Sequence, residues 1–416
     1  MTPNVWIWVI AGVATAGVIL RPFSLQEWIW AVAGASLLLI GELITPSEGL
    51  KGVLSGADVY LFLIGMMLLS EVARVEGLFD WLAAQAARHA KGSATRLFFL
   101  IYIVGTVVTV FLSNDATAVV LTPAVAAAVR AAKVKNPLPY LLICASIANA
   151  ASFVLPISNP ANLVIYGRAM PPLLEWLPRY LGPSMVSIAA TYLLLFWSQR
   201  AALNQSVVTD VDLPELSAAG RLAALGIAAT AIVLLTASAF NLQLGLPTAI
   251  AGFATTSLVL VRERKSPWPI IKDISWGVLP LVAGLFVLVG ALEQTGLIHT
   301  LAGILRDCAA RSPLQAAWLA GVSTGFGSNL ANNLPMGLVA GTVVAEAHAS
   351  DLVNRAVLIG IDIGPNLSVT GSLATILWLN ALRREGHKVS ALAFLKVGMI
   401  VMPPALLLAL AAAFSY

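Results

Sequence analysis

The sequence predicts an all-α polytopic membrane protein with two inverted repeats, each of five spans plus a re-entrant helical hairpin, and with helices broken at the midplane. Three observations lead to this prediction. The 416 residues are 59% hydrophobic and only 11% charged, whereas soluble globular proteins carry about 25% charged residues. Apolar runs of about 20 residues, long enough to cross a bilayer, recur along the chain. The two halves of the chain also carry matching landmarks.

Apolar spans are expected in both halves, on either side of a polar linker. The first half, 1–198, has spans at 4–20, 28–45, 58–75 and 180–198, an interrupted region at 97–131, and a long span at 138–167 broken near Pro156. The linker covers 199–220. The second half, 221–416, has spans at 221–240, 246–262, 275–292 and 395–414, an interrupted region at 314–346, and a long span at 353–381 broken near Gly371. The amphipathic piece from Leu78 to Ala90 is expected along the membrane surface.

Matching landmarks indicate an internal repeat. The stretch Glu76-Gly77-Leu78 corresponds to Thr295-Gly296-Leu297 at an offset of 219 residues, and Asn114-Asp115 corresponds to Asn332-Asn333 at an offset of 218. The broken spans follow in the same order in both halves. Because five spans are an odd number, the second half must enter the membrane upside down relative to the first.

Positive charge is distributed as this topology requires. If 97–131 and 314–346 are re-entrant hairpins and the N-terminus lies outside, 18 of the 24 lysine and arginine residues fall on the cytoplasmic side. Both termini are then periplasmic and the linker is cytoplasmic, in a multi-pass protein of the cell inner membrane. Inverted repeats whose broken helices meet at the midplane are typical of secondary transporters.

Polar residues interrupt the apolar runs where the broken helices are expected to meet. Non-helical backbone at membrane depth survives only where protein or a wet cavity surrounds it. The candidate substrate-binding residues are Ser113, Asn114, Asp115, Thr117, Ser158, Asn159, Asn162, Asn332, Asn333, Thr370 and Ser372. Uncharged donors and acceptors without lysine or arginine suit a small neutral polyhydroxy solute or a hydrated cation. They argue against an anionic substrate, although helix ends alone can hold an anion.

Two carboxyl groups are candidates for coupling transport to protons. Asp115 lies at the first interruption, and Asp362 lies inside the second long broken span. A charge at bilayer depth costs about 3 kcal/mol or more, so an ionisable group there is a functional candidate. The alternative is that each carboxylate caps a helix start by accepting backbone N–H groups.

Several function classes lack support in the sequence. There is no GxxxxGK[ST] phosphate loop, no HExxH and no GxSxG, so ATP hydrolysis through such a loop and intramembrane hydrolysis are not indicated. Cys144 and Cys308 lie in different segments and predict neither a disulfide framework nor a cysteine-rich metal site. No basic stripe suggests nucleic acid, and no cofactor is expected.

The interruptions resemble the motifs of a known family. The stretch Phe111–Pro123, FLSNDATAVVLTP, is similar to the first hairpin of the ion transporter superfamily. The stretches Asn332–Pro335 (NNLP), Ile359–Asn366 (IGIDIGPN) and Gly371–Leu379 (GSLATILWL) resemble the bacterial arsenite efflux pumps. Two positions depart from that pattern: Ile361 stands where some members carry cysteine, and Asn366 where some carry lysine.

The resemblance implies export of arsenite or antimonite driven by the proton gradient, and hence arsenical resistance. It also implies a scaffold domain, a transport domain that moves as an elevator, and optional pairing with a separate arsenite-stimulated ATPase of the ArsA type. Trivalent arsenic at neutral pH is mostly the uncharged trihydroxide, which amides, hydroxyls and helix ends can hold. Two separated cysteines cannot form a three-thiol cage, so both are expected to be dispensable.

Two other functions stay open at this point. A sodium/proton antiporter of the same superfamily would use Asp115 and Asp362 as cation ligands. A membrane scaffold or receptor for an ATPase would instead tolerate Asp115→Asn with resistance intact. An intramembrane enzyme has no nucleophile–base pair in this sequence.

Overall fold

The chain folds into helices and connecting loops throughout the part that the structure describes. The structure, a computed structural model, describes residues 2–208 and 215–415. Within these ranges a single β-bridge between Ser93 and Ser206 is the only strand-like pairing. Six helices are long and apolar enough to cross a membrane, and two bent helix pairs pass the same test. The predicted all-α, multi-pass class is therefore confirmed.

The helices of the first half follow the predicted spans closely. They are α1 Pro3–Leu20, α2 Glu27–Ile40, α3 Pro46–Ser55, α4 Ala57–Val75, α5 Leu78–His89, α6 Ala94–Phe111, α7 Asn114–Ala116, α8 Thr122–Ala131, α9 Leu138–Ala150, α10 Pro160–Tyr166 and α11 Leu173–Gln199. A π-helical turn over Thr117–Leu121 joins α7 to α8, and a 3₁₀ turn over Pro156–Ser158 lies between α9 and α10.

The helices of the second half repeat this order. They are α12 Ala218–Ala239, α13 Gly245–Glu263, α14 Trp268–Asp273, α15 Val278–Gln294, α16 Leu297–Arg311, α17 Pro313–Ala331, α18 Asn333–Glu346, α19 Asp351–Ile363, α20 Leu373–Arg384 and α21 Ala391–Ala413. A 3₁₀ turn over Gly364–Asn366 follows α19. Of the predicted linker, residues 209–214 lie outside the described residues.

The predicted span 28–45 is wrong at its C-terminal end. Helix α2 stops at Ile40, and a new helix, α3, begins after Thr45. The cause is a capping box, in which Glu48 N donates to Thr45 Oγ1 (3.3 Å) and Thr45 N donates to Glu48 Oε2 (2.7 Å). Helices α3 and α4 then form a pair bent by 45°.

Side-chain caps turn the chain at both interrupted regions. In hairpin 1, which we define as α6 to α8, Ser113 is extended and its Oγ accepts from Ala116 N (3.1 Å). In hairpin 2, defined as α17 and α18, Asn332 has φ of 69° and its Oδ1 accepts from Leu334 N (3.3 Å). With ψ of 151° this residue lies outside the left-handed helical region, in a conformation that only glycine adopts readily, and its side-chain bonds to Leu334 N and Thr370 O hold it there. Both caps fall inside the regions that the sequence marked as interrupted.

Helix packing follows one scheme in both halves. Helix α5 packs on both arms of hairpin 1, and α16 packs on both arms of hairpin 2. Helix α4 packs on α13 while α15 packs on α2, and the final helices α11 and α21 pack on each other. The buried face of α5 therefore covers hairpin 1 rather than facing a membrane surface. The fourth helix of each half thus packs on the second helix of the other half. This reciprocal packing supports the predicted repeat, and the inverted orientation of the two halves in the membrane stays a prediction.

Glycines allow helices α17 and α19 to approach each other closely. A Cβ at Gly360 would collide with the Gly321 carbonyl oxygen and the Thr324 hydroxyl. Small residues at helix contacts let membrane helices pack backbone to backbone. Gly290, on α15, has no atom within 4 Å of the equivalent Cβ position and offers a matched site.

We therefore expect Gly360→Leu to destabilise the folded protein by about 3 kcal/mol or more, because the overpacked crossing must open. Gly290→Leu should change stability little. Thermal unfolding of purified protein in detergent, followed by fluorescence-detected size exclusion, measures both variants. Equal melting temperatures for the two variants would show that the α17–α19 contact does not limit stability.

Candidate functional site

The starts of four helices meet around one cavity, which we name the central cavity. It is lined by Leu63, Asn114, Asp115, Asn159, Pro160, Val278, Asn333, Leu334, Leu373 and Ala374. These residues include the N-terminal ends of α7, α10, α18 and α20. Helix N-termini carry partial positive charge, so the cavity favours a negative charge or electron-rich oxygen atoms.

A second, larger cavity adjoins the central one, and we name it the inner cavity. It shares Leu63, Asp115, Pro160 and Val278 with the central cavity and contains about 620 Å³ of empty space, part of it open to solvent. Its lining extends along α4 and the segment before α15, and includes Glu71 and Asp273. Asp115 therefore lies where the two cavities meet.

Ion pairs border the far part of the inner cavity. Arg74 Nη2 contacts Asp273 Oδ2 at 2.7 Å and also pairs with Glu71. Arg74 lies in the last turn of α4, an end that the positive-inside prediction places in the cytoplasm. No lysine or arginine lines either cavity among the described residues.

Asp115 has a carboxylate with no hydrogen-bond partner among residues 2–208 and 215–415, although its backbone N–H donates to Asn114 Oδ1 (2.9 Å). The cap of this helix start is supplied by Ser113 instead. The carboxylate is therefore not used as a helix cap in this conformation. It remains available to a proton or to a bound solute.

Asp362 lies directly behind the wall of the central cavity. It is 0% exposed, and Asn159 Nδ2 donates to its Oδ1. Its Oδ2 has no partner among the described residues. Asn159 in turn lines the cavity and caps α10 by accepting from Ala161 N (3.0 Å) through Oδ1. A single amide thus links the buried carboxyl group to the cavity.

Asn333 supplies the wall of the central cavity from hairpin 2. Its backbone N–H donates to Gly371 O at 2.8 Å, which fixes the start of α18 beside the second break. Its side-chain Oδ1 is buried and unpartnered among the described residues. An unsatisfied buried oxygen costs about 1–3 kcal/mol, so this atom is suited to accept a hydrogen bond from a bound solute.

Six of the predicted binding residues line neither cavity and bond to protein groups instead. Thr117 contacts Thr109 (2.8 Å), Ser158 donates to Val110 O (3.0 Å), Asn162 donates to Ser152 O (3.0 Å), Asn332 donates to Thr370 O (3.2 Å), Thr370 donates to Asn329 O (3.0 Å), and Ser372 accepts from Thr375 N (3.1 Å). These residues hold the chain breaks together. The structure brings Ser113, Asn114, Asp115, Asn159 and Asn333 to the cavities.

Asp273 was not found from the sequence, and the contacts of Asn366, which the sequence marked only as a departure from the arsenite-pump pattern, were not predicted. Asp273 reaches the inner cavity from a short helix, and no local motif distinguishes it from other loop carboxylates. Asn366, at the position where some arsenite pumps carry lysine, accepts from Asn149 Nδ2 (3.0 Å) and donates to Ser146 O (2.9 Å). This buried amide pair joins the two broken helices beside the site and brings no charge to it.

Known proteins match this chain over most of its length. The family described as citrate transporter, CitMHS, matches residues 6–362. The chain is 29% identical to an arsenical pump membrane protein of Yersinia enterocolitica, and 28% identical to one of Escherichia coli K12, over 84% of both chains in each case. These relatives confirm the predicted resemblance.

A solved structure supports the fold. The YdaH transporter of Alcanivorax borkumensis, described as having an unusual topology, matches with a TM-score of 0.57 at 17% identity and covers 99% of this chain and 95% of its own. At that identity the likeness concerns the fold alone. The family model matches residues 6–362, which is most of the chain. The chain therefore belongs to the citrate transporter family CitMHS and is a multi-pass membrane transporter.

Proposed function

We propose that the protein exports trivalent metalloids, arsenite and antimonite, across the inner membrane in exchange for protons and so confers arsenic resistance. The observation that carries this proposal is the composition of the central cavity. In the part of the chain that the structure describes, it combines one unpartnered carboxylate, Asp115, with the amides of Asn114, Asn159 and Asn333, and no cationic side chain lines it. The names of the arsenical pump relatives support the same solute.

The uncharged trihydroxide of arsenic or antimony fits this chemistry. Its three hydroxyl groups can donate to Asp115 and to the unpartnered Asn333 Oδ1, and can accept from amide N–H groups. Hydrogen bonds to a carboxylate contribute about 1.5–3 kcal/mol each, about twice the neutral kind. Oxygen and nitrogen contacts of this strength allow release, which a thiolate cage would slow.

Competition for Asp115 provides the coupling. Facing the cytoplasm through the inner cavity, the carboxylate loses its proton and accepts a hydrogen bond from the solute. When Asp115 faces the periplasm, protonation turns the charged acceptor into a neutral carboxyl group that binds the solute more weakly, and the solute leaves. The neutral acid then returns with its proton. The four helix N-termini stabilise the ionised form in the absence of lysine or arginine.

The proposed orientation has periplasmic termini and two inverted repeats. Salt bridges support placing the basic helix ends on one side: Lys265 pairs with Glu76 (2.8 Å), and Arg130 pairs with Glu385 (2.8 Å). Glu76 and Lys265 follow the C-terminal ends of α4 and α13, and Glu385 follows α20 while Arg130 lies in the last turn of α8. Each pair therefore joins helix C-termini from the two halves. The hairpins and broken helices would form the transport domain, and an ArsA-type ATPase would be an optional partner.

The family description makes an anion carrier the second candidate, and four converging helix N-termini favour it. The carboxylates along the cavities, Asp115 with Glu71 and Asp273, carry more negative charge than Arg74 offsets and so oppose a multiply charged anion such as citrate. Sodium/proton antiport is a third candidate, favoured by the unpartnered Oδ2 of Asp362.

Everted membrane vesicles test these candidates together. Arsenite uptake that depends on an imposed pH gradient supports the proposal. Citrate uptake without arsenite uptake would identify the anion carrier, and sodium-dependent dequenching of a pH probe would identify the antiporter. Vesicles without the protein serve as the control.

The cysteines are expected to be dispensable for export. Cys144 is buried, Cys308 is half-buried, and neither lines the central or inner cavity. The double variant Cys144→Ala/Cys308→Ser should therefore confer wild-type resistance when a sensitive host grows in arsenite. Loss of resistance with normal membrane insertion would contradict an oxygen-and-nitrogen site.

A further inference from the structure

A third cavity lies at the opposite end of α4 from Arg74, and we name it the outer cavity. Asp58, at the start of α4, lines it together with Ser238, Asn241 and Gln243. It contains about 380 Å³ of empty space, part of it open to solvent. The predicted topology places this end of α4 and the end of α12 in the periplasm, so the cavity faces the side to which the solute is exported.

The Ser238 hydroxyl is unusual among the helical hydroxyls of α12. Thr230 and Thr236 donate to carbonyl oxygens four residues earlier, at 2.7 Å each. Ser238 is only 3% exposed, and its Oγ has no partner among the described residues. A buried hydroxyl without a partner costs about 1–3 kcal/mol. It lines the outer cavity, where a bound solute can satisfy it.

Asp58 is held in place by the neighbouring helix. Gly245 N donates to Asp58 Oδ1 at 2.9 Å. A Cβ at Gly245 would collide with the Asp58 carbonyl oxygen, so glycine is needed for this approach. The carboxylate is half-buried and remains part of the cavity wall. It therefore presents a fixed acceptor in the same cavity as the buried Ser238 hydroxyl.

Part of the wall of the outer cavity belongs to the broken helix that also forms the central cavity. Leu163 lines the outer cavity, and Pro160, three residues earlier on α10, lines the central and inner cavities. Three helical residues rise by about 4.5 Å. On α4, the buried Val59 and Phe62 lie between Asp58 and Leu63 of the central cavity. The two cavities thus lie along one helix seam with an apolar barrier between them.

We propose that the outer cavity is a second solute site, at which Asp58 and Ser238 bind the neutral trihydroxide as it is released to the periplasm. This inference rests on the proposed export of trivalent metalloids. The site takes small polyhydroxy solutes because it offers a carboxylate, a hydroxyl and amide groups without a lining lysine or arginine among the described residues. It lowers the barrier to release by replacing part of the hydrogen bonding lost at the central cavity.

The second site can be tested directly by arsenic anomalous scattering. Crystals are soaked in sodium arsenite at a concentration that saturates transport. The expected result is one arsenic peak in the central cavity and another between Asp58 and Ser238. Ser238→Ala and Asp58→Asn should remove the outer peak alone, and Asn at position 58 can still accept from Gly245 N. Thr236→Val is the matched control, because the Thr236 hydroxyl is satisfied within its own helix.

Whole cells provide a second readout that needs no crystals of the variants. External arsenite should inhibit export by rebinding at the outer site, and Ser238→Ala should raise the half-inhibitory concentration about threefold or more. A central peak without an outer one, or an outer peak that persists in both variants, overturns the second site while export stands. Arsenic at neither site, with no transport by the wild type, would instead overturn the proposed function.

Discussion

Asp115→Asn is expected to abolish arsenite uptake driven by a pH gradient in everted vesicles. The asparagine keeps the size of the side chain and its helix position, but it can neither carry a proton nor accept a charge-assisted hydrogen bond. Loss of that bond alone costs about 1.5–3 kcal/mol, which is about a tenfold to hundredfold loss of affinity. The rate of gradient-driven uptake should therefore fall to that of vesicles lacking the protein.

Asp80→Asn is the matched control for this experiment. Asp80 is an exposed carboxylate on α5 and lines none of the three cavities. Its substitution should leave uptake and resistance unchanged. Full resistance conferred by Asp115→Asn would remove the basis of the coupling mechanism and would favour a scaffold for a separate ATPase.

Exchanging the two members of the Asp362–Asn159 pair is the second decisive experiment. Asp362→Asn places two amides face to face and removes the buried carboxyl group behind the cavity wall, so we expect export to fall about tenfold. The double variant Asp362→Asn/Asn159→Asp restores one carboxyl and one amide to the pair. An aspartate at position 159 can also accept from Ala161 N, as the asparagine does.

The double variant should recover export at least partly, because the buried pair again has one donor and one acceptor. Initial rates of arsenite uptake as a function of pH separate two roles for Asp362. A proton-carrying role predicts that the pH profile shifts in the double variant, since the carboxyl group moves to the cavity wall. Rescue with an unchanged profile would mean that the pair only positions α10.

The chain breaks were predictable because local chemistry creates them. Ser113, Asn332 and Ser372 are capping residues inside apolar runs, and each accepts a backbone N–H at the start of a helix. Helix α3 was missed although its signal is local, because Thr45 and Glu48 form the T-x-x-E pattern of a capping box at the end of the predicted 28–45 span. The packing of α5 on hairpin 1 depends on contacts between distant segments, which periodicity does not reveal.

The sequence predicted the chemistry of the candidate site better than it predicted which residues line it. Asn114, Asp115 and Asn333 are polar residues in an apolar setting, and that signal is strong. Asn159 and Asn162 carry the same signal from one helix, yet only Asn159 lines the central cavity, while Asn162 bonds back to Ser152. Which side of a short helix faces the cavity depends on tertiary packing, so the sequence could not separate them.

The π-helical turn at Thr117–Leu121 determines where the tip of hairpin 1 points. Such turns hold one surplus residue relative to an α-helix, and each α-helical residue rotates the chain by about 100°. If the same five residues formed regular α-helix instead, the surplus residue would rotate the tip by about that angle relative to α8. Every polar side chain of the motif would survive, yet Asp115 would turn away from the two cavities that it lines, so the direction of this carboxylate depends on the winding of the backbone behind it.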